Sequence, residues 1–215
     1  MDTGGIFITF EGIDGAGKST HIESLAGLFR NRGRVVTVTR EPGGTPLAEK
    51  LRAVVLNERM DVLTEALLVF AARRDHLVQT IAPALRRAEV VLCDRFTDSS
   101  FAYQGAGQGL GLEVLTALEG WVQGGQRPDN GKMLEPDLTL WFVLPPTQAA
   151  ARLSQARAPD KFEAKGPEFF ARVAQRFEQR AKAFPERFRR IKADDSRETV
   201  WTAVEQAIRS RGWLA

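Results

Sequence analysis

The chain predicts an α/β fold in three layers: a five-stranded parallel sheet flanked by helices. Three observations carry that prediction. Short apolar, β-rich runs recur along the 215 residues, each bounded by glycine, proline or a charged pair. Between them lie stretches whose apolar residues repeat at i, i+3, i+4 and i+7, the spacing of one helix face. Strands alternating with helices imply βαβ crossovers, and therefore a parallel sheet covered on both sides.

Taken in order, Ile6–Phe10 (IFITF) is a buried strand that stops at Glu11-Gly12. Ile22, Leu25, Ala26 and Phe29 mark an amphipathic helix ending near Gly33. Val35, Val36 and Val38 form a second strand, broken by Glu41-Pro42-Gly43-Gly44. Pro46 opens a helix whose apolar face is Leu47, Leu51, Val54 and Val55. Thr64 to Arg87 reads as a longer helix, with a bend expected at Pro83. Glu89–Cys93 is the third strand and ends in Asp94-Arg95. Leu112–Val122 is helical, Leu138–Leu144 and Phe188–Ile191 are strands, and Val200, Val204 and Ile208 mark a last helix. Gly124–Glu135 reads as a polar surface loop. With no linker or repeat, one domain spanning 1–215 is expected.

Composition excludes several classes. Apolar residues make up 43% and charged residues 27%, so the chain is neither disordered nor fibrous. Cys93 is the single cysteine, which rules out an internal disulfide or a CxxC metal cage. The apolar runs fall far short of the ~20 residues a membrane span needs, and the first residues lack a secretory pattern. A cytoplasmic protein without a membrane partner is expected. The charge is uneven: residues 150–192 hold 12 Lys/Arg against 5 Asp/Glu, a local +7 in a chain of net +3, leaving −4 elsewhere. That block calls for an anionic partner, whether nucleic acid, a membrane surface or small phosphates.

One motif decides among these. Gly12-Ile13-Asp14-Gly15-Ala16-Gly17-Lys18-Ser19 matches G-x-x-x-x-G-K-[ST] in full, with Thr20 following, directly after a strand and before a helix. Glycines let successive N–H groups turn inward around phosphate oxygens, and the helix N-terminus adds partial positive charge. Lys18 is placed to reach the β- and γ-phosphates of ATP, and the Ser19 hydroxyl to ligate Mg²⁺. This is the phosphate-binding loop of the P-loop NTPase fold.

No Asn-Lys-x-Asp guanine-reading motif occurs, which excludes a GTPase switch. A kinase acting on an alcohol needs a carboxylate base. A phosphate-monoester acceptor is already ionised and needs only charge neutralisation and in-line alignment. Asp94-Arg95 emerges at the carboxyl edge of the sheet, where such ligands bind. Asp94 is the natural carboxylate for Mg²⁺, and Arg95 can straddle donor and acceptor phosphates. On spacing alone, Arg73 and Arg74 suit either a solvated basic face or a ligand contact.

With these residues assembled, the sequence resembles the thymidylate kinase family over about 6–208, in FEGIDGAGKST (10–20), TREPGGTPLAEKLR (39–52), FAARRDH (70–76), DRFTDSSFAYQG (94–105) and PDLTL (136–140). The resemblance implies phosphoryl transfer from MgATP to dTMP, giving dTDP, by a homodimer that binds no nucleic acid. It implies that Asp14 contacts the dTMP sugar, Arg73 the thymine ring, Ser100 the base edge and Arg95 the acceptor phosphate. Tyr103 would crowd the 2′ position with Gln104 beside it. Glu41, Pro42, Phe70 and Ser99 fall in the same segments and complete the expected dTMP site. A mobile lid at about 152–166, hinged at Gly166-Pro167, would bring Arg152, Arg157 and Lys161 to ATP as catalytic cations. The chain departs from the family pattern at Val69, where the family has an aromatic, and at Lys161, where the lid has arginine. The other readings are a kinase for another monophosphate or for a deoxynucleoside, and a nucleotide switch that places its basic block on nucleic acid.

Overall fold

The five apolar runs become β1 (Ile6–Glu11), β2 (Val36–Arg40), β3 (Val90–Asp94), β4 (Leu138–Val143) and β5 (Phe188–Lys192). All pair in parallel, in the order β2-β3-β1-β4-β5. The computed structural model describes residues 4–128, 130–145, 147–149, 161–162 and 165–214. The helices are α1 (Lys18–Arg30), α2 (Pro46–Asn57), α3 (Val62–His76), α4 (Ala82–Arg86), α5 (Thr97–Ser100), α6 (Leu112–Gln123), α7 (Pro167–Ala183) and α8 (Arg197–Arg209).

Strand alternation divides the core. Ile6, Ile8 and Phe10 of β1, with Val90 and Leu92 of β3, join Ile22, Leu25 and Phe29 of α1 and Val204 and Ile208 of α8. Phe7, Val91 and Cys93 point the other way and join Leu77, Ile81 and Leu85. Each such side chain contributes about 1.5–3 kcal/mol when removed from water, so both faces of the sheet are strongly held. Cys93 is a fully buried member of this packing, with burial pushing its thiol well above its usual range.

Capping residues set the helix starts. Thr45 accepts the Ala48 N–H at 3.0 Å ahead of Pro46, and Asp61 accepts those of Leu63 and Thr64 at 2.9 and 3.0 Å.

One expectation needs correcting. The stretch 64–87 is not one α-helix bent at Pro83: α3 widens into a π-helical turn over Leu77–Ile81 before α4 begins. The Ala82 N–H bonds the Leu77 carbonyl five residues back, so the register changes ahead of the proline, whose ring would otherwise strike a carbonyl of the preceding turn. Residues 97–107, where apolar periodicity shows no helix, form α5 and a second π-helical stretch, Phe101–Gly107. Arg180 and Arg187, which belong to the 150–192 basic block, are each 8% exposed and pair with Asp98 beneath them. The Gly124–Glu135 loop is at the surface except for fully buried Leu134, whose N–H and carbonyl both bond Gln123.

Candidate active site

The register of β1 on β3 builds the site. Phe10 lies opposite Asp94, and the Arg95 N–H extends the ladder to the Phe10 carbonyl at 2.9 Å. The loops leaving the two strands therefore start side by side at the carboxyl edge of the sheet.

Residues 12–17 lead from β1 into α1. Gly12 has φ 130°, and a Cβ there would lie 2.3 Å from the Phe142 carbonyl oxygen, so only glycine fits. Gly17 caps α1 with φ 80° and no side-chain acceptor, and the first turn holds no carboxylate. The leading amides of α1 thus keep their donors for an anion. Lys18 is buried, with Nζ donating to the carbonyls of Gly12 and Ile13 at 3.3 and 3.2 Å. Burial, then Arg95, lowers its pKa, while Asp94, Asp14 and Glu11 oppose the shift.

Arg95 is the hub. It sits at φ 69°, a left-handed conformation costing a residue with a side chain about 1–2 kcal/mol. Nη1 donates to the Gly12 carbonyl at 2.8 Å and Ser99 Oγ at 3.1 Å; Nη2 donates to Asp14 Oδ1 at 2.8 Å and, more weakly, Tyr103 Oη at 3.4 Å. Burial works against its charge, but Asp14 first, with Tyr103, Asp94 and Glu11, holds the guanidinium well above its ordinary range. Tyr103 also stacks beneath it at 5.1 Å.

Beside Arg95 opens a cavity between α2, α3 and the 95–104 segment. Of the ten residues expected to hold dTMP, nine line it: Asp14, Glu41, Pro42, Arg73, Arg95, Ser99, Ser100, Tyr103 and Gln104. Phe70 does not. It lies behind Arg73, whose guanidinium carbon sits 4.5 Å over its ring, and Val69 faces the cavity in its place. The rings that do line it are Phe96, Tyr103 and Phe162.

Arg73 is 1% exposed and already oriented. Its Nε donates to Glu41 Oε2 at 2.7 Å and its Nη2 to Ser100 Oγ at 2.9 Å, while Nη1 has no partner among the described residues. Burial raises the Glu41 pKa, but Arg73 and the His76 ring together carry it below its usual value. His76 bonds Glu41 through Nδ1 at 3.0 Å and Thr39 Oγ1 through Nε2 at 2.7 Å. A buried, locked guanidinium with one spare donor is suited to reading an acceptor atom on a ligand.

A second cavity, between α1 and β2, is lined by Ser19, Glu23, Thr39, Arg40, Thr80 and Asp94. Asp94 Oδ1 is buried there without a partner among the described residues.

Of the expected lid cations, Arg152 and Arg157 lie outside the described residues. Lys161 is placed on α2 and α3 rather than at the phosphate loop: Nζ is 2.5 Å from Glu65 Oε2 and donates to the Val55 carbonyl at 3.0 Å. Sequence reasoning missed Glu11, Glu65, His76 and Asp98, all buried acids or bases behind the site. Glu11, at a strand end directly before Gly12, carried the one positional signal that would have found it.

The family model for thymidylate kinase matches residues 10–204. The chain belongs to the thymidylate kinase family. A thymidylate kinase from Albidiferax ferrireducens is 62% identical over the full length of both chains, and one from Polaromonas sp. is 60% identical over 98% of this chain and 99% of its own. Among solved structures, thymidylate kinase from Ehrlichia chaffeensis superposes with TM-score 0.75 at 33% identity, covering 95% of this chain and 99% of that one. Membership of the thymidylate kinase family makes the chain a kinase.

Proposed function

We propose that the chain transfers the γ-phosphoryl group of MgATP to dTMP, releasing ADP and dTDP. The observation that carries this is the spare Nη1 donor of buried Arg73, a residue that lines one cavity together with Arg95. An arginine donor suits the carbonyl oxygen of thymine and not the amino group of cytosine. Arg95 fits the acceptor phosphate, and the amides of residues 12–19 with Lys18 fit the donor phosphates. An oxygen of the dTMP phosphate attacks the γ-phosphorus as the bond to the β-phosphate oxygen breaks. The acceptor is already anionic, so no base is needed; the residues align two polyanions and neutralise their repulsion.

The donor set also fits a divalent cation, since Asp94 Oδ1 is orphaned and Ser19 lines the same cavity. Magnesium held there supplies charge neutralisation on the donor phosphates. Arg152 and Arg157 are proposed to bring further positive charge to the transferring group.

We infer a homodimer in the cytoplasm, supported by Leu63 and Leu67 one turn apart on α3, exposed at 44% and 50%. Among the described residues no helix is long and apolar enough to cross a membrane.

A coupled ADP-release assay over dTMP, dUMP, dCMP and thymidine tests the reading. Turnover should be greatest with dTMP, and Lys18→Ala should lower it by about 10²–10³-fold. ADP release that is insensitive to dTMP, or unchanged in the Lys18 variant, would overturn it.

A further inference from the structure

The pattern around 160–163 suggests a lid base for ATP, yet the contacts of Lys161 and Phe162 lie elsewhere. Lys161 Nζ reaches Glu65 Oε2 at 2.5 Å, with the carboxylate 1% and the lysine 22% exposed. Glu65 also accepts through Oε1 from Gln104 Nε2 at 2.8 Å and Gln108 Nε2 at 2.5 Å. Burying a carboxylate without a counter-charge costs several kcal/mol. Lys161 is the one cation within ion-pair distance of Glu65 among the described residues. The two amides contribute hydrogen bonds but no charge, so Glu65 draws Lys161 to this position.

That draw has a consequence one residue on. Phe162 lines the dTMP cavity with Val55, Tyr103 and Gln104. Its ring meets Tyr103 edge-on, centroids 5.6 Å apart at 89°, and the Lys161 ammonium lies 5.6 Å from its centre. Gln104 belongs to both groups: it lines the cavity and donates to Glu65. The Val55 carbonyl that receives Lys161 belongs to a residue that lines the cavity too.

We propose that Lys161 is a positioning residue of the acceptor-nucleotide site: its pair with Glu65 seats Phe162 against Tyr103 as a wall of the dTMP cavity. Lys161 serves acceptor binding and not the donor phosphates. The inference rests on the dTMP reading above and deepens it.

Steady-state kinetics on Lys161→Met, Lys161→Arg and Phe162→Ala, with both substrates varied, provide the test. Lys161→Met and Phe162→Ala should each raise the KM for dTMP about tenfold, the loss of one apolar wall contact, while leaving the KM for ATP within about twofold. Lys161→Arg retains the charge and should restore the dTMP KM. Calorimetric titration with dTMP alone should show the same weakening without any donor present. If Lys161→Met proves too unstable, Lys161→Met/Glu65→Gln removes the unpaired carboxylate and should refold with the dTMP defect intact. A loss of kcat or a rise in ATP KM with dTMP binding unchanged would overturn the assignment, as would no change in either. Wild-type turnover of dTMP in the same assay separates failure of this inference from failure of the functional reading.

Discussion

At the scale of single residues, Glu11 shows how the site's cations are held. It is fully buried at the end of β1, with Oε1 accepting the Phe96 N–H at 2.8 Å and Oε2 accepting the Ser99 hydroxyl at 2.5 Å. Ser99 Oγ in turn accepts from Arg95 Nη1, so Glu11 fixes the arginine through one intermediary. Burial first, and the nearby Asp98 second, push the Glu11 carboxyl up to about 7, against the pull of Ser99, Arg95 and the Phe96 amide. An unfolded glutamate ionises near 4.5. Between those values the folded chain keeps a proton that the unfolded chain has lost. The stabilising contribution is therefore complete below about 4.5, declines as pH rises, and is gone above about 7. Glu11→Gln cannot ionise, and its amide still satisfies Phe96 and Ser99. Melting curves from pH 5 to 8 should show the Tm of the variant gaining about 5 °C on the wild type across the range. Parallel profiles would mean that Glu11 does not titrate in that window.

At the scale of elements, Asp98 joins α5 to α7 and to Arg187, the residue before β5. Its Oδ1 accepts from Arg180 Nε at 2.7 Å and Arg187 Nη2 at 3.1 Å, and its Oδ2 from Arg187 Nη1 at 2.6 Å. Arg180 is further packed over Phe101 and Phe184 at 4.1 and 4.6 Å. Burial raises the Asp98 pKa, but Arg187 and then Arg180 outweigh it and hold the carboxyl at about 2, below its usual 3.8. The contribution is thus present above 3.8 and is lost as pH falls through about 2. Asp98→Asn leaves buried Arg187 without a counter-charge and Arg180 with only the longer Glu119 pair at 3.4 Å, and should cost about 3–5 kcal/mol by urea denaturation at neutral pH. The deficit should shrink toward pH 2, and a loss under about 1 kcal/mol at pH 7 would show the cluster to be dispensable. None of this was legible in the sequence. Periodicity reports which face of an element is buried and placed all five strands, while a motif of fixed spacing placed the phosphate loop. Periodicity carries no information on a pairing between residues 82 and 89 positions apart. The 97–107 stretch carries no apolar periodicity to announce its helical turns, and Arg172 of α7 bonds its Ala106 and Gly107 carbonyls. Phe70 illustrates the finest limit, because one position along a helix separates the cavity wall, Val69, from the support behind Arg73.

At the scale of the whole molecule, the strand order sets two loops beside each other and lets one cluster of cations serve two anions. Part of the basic block at 150–192 is turned into the fold: Arg180 and Arg187 pair with Asp98, and Lys161 with Glu65. Those three cations are withdrawn from any surface for nucleic acid, which favours the small-phosphate reading of the charge. Binding of a nucleotide to so prearranged a site must stabilise the whole chain by mass action, about 2.7 kcal/mol at a hundred times Kd. For a chain of this length that is a rise in Tm of about 5–10 °C. Arg73 supplies the spare donor in the acceptor cavity, and Glu41 keeps its bond to His76 when the guanidinium is removed. Arg73→Met should therefore fold with a lower baseline and show a dTMP-induced shift below about 2 °C, while its shift with MgATP stays near the wild-type value. Arg73→Lys, which keeps the charge but not the forked geometry, should fall between the two. If dTMP stabilises Arg73→Met as much as it does the wild type, base reading resides elsewhere in the cavity, and the orphaned donor is a structural coincidence.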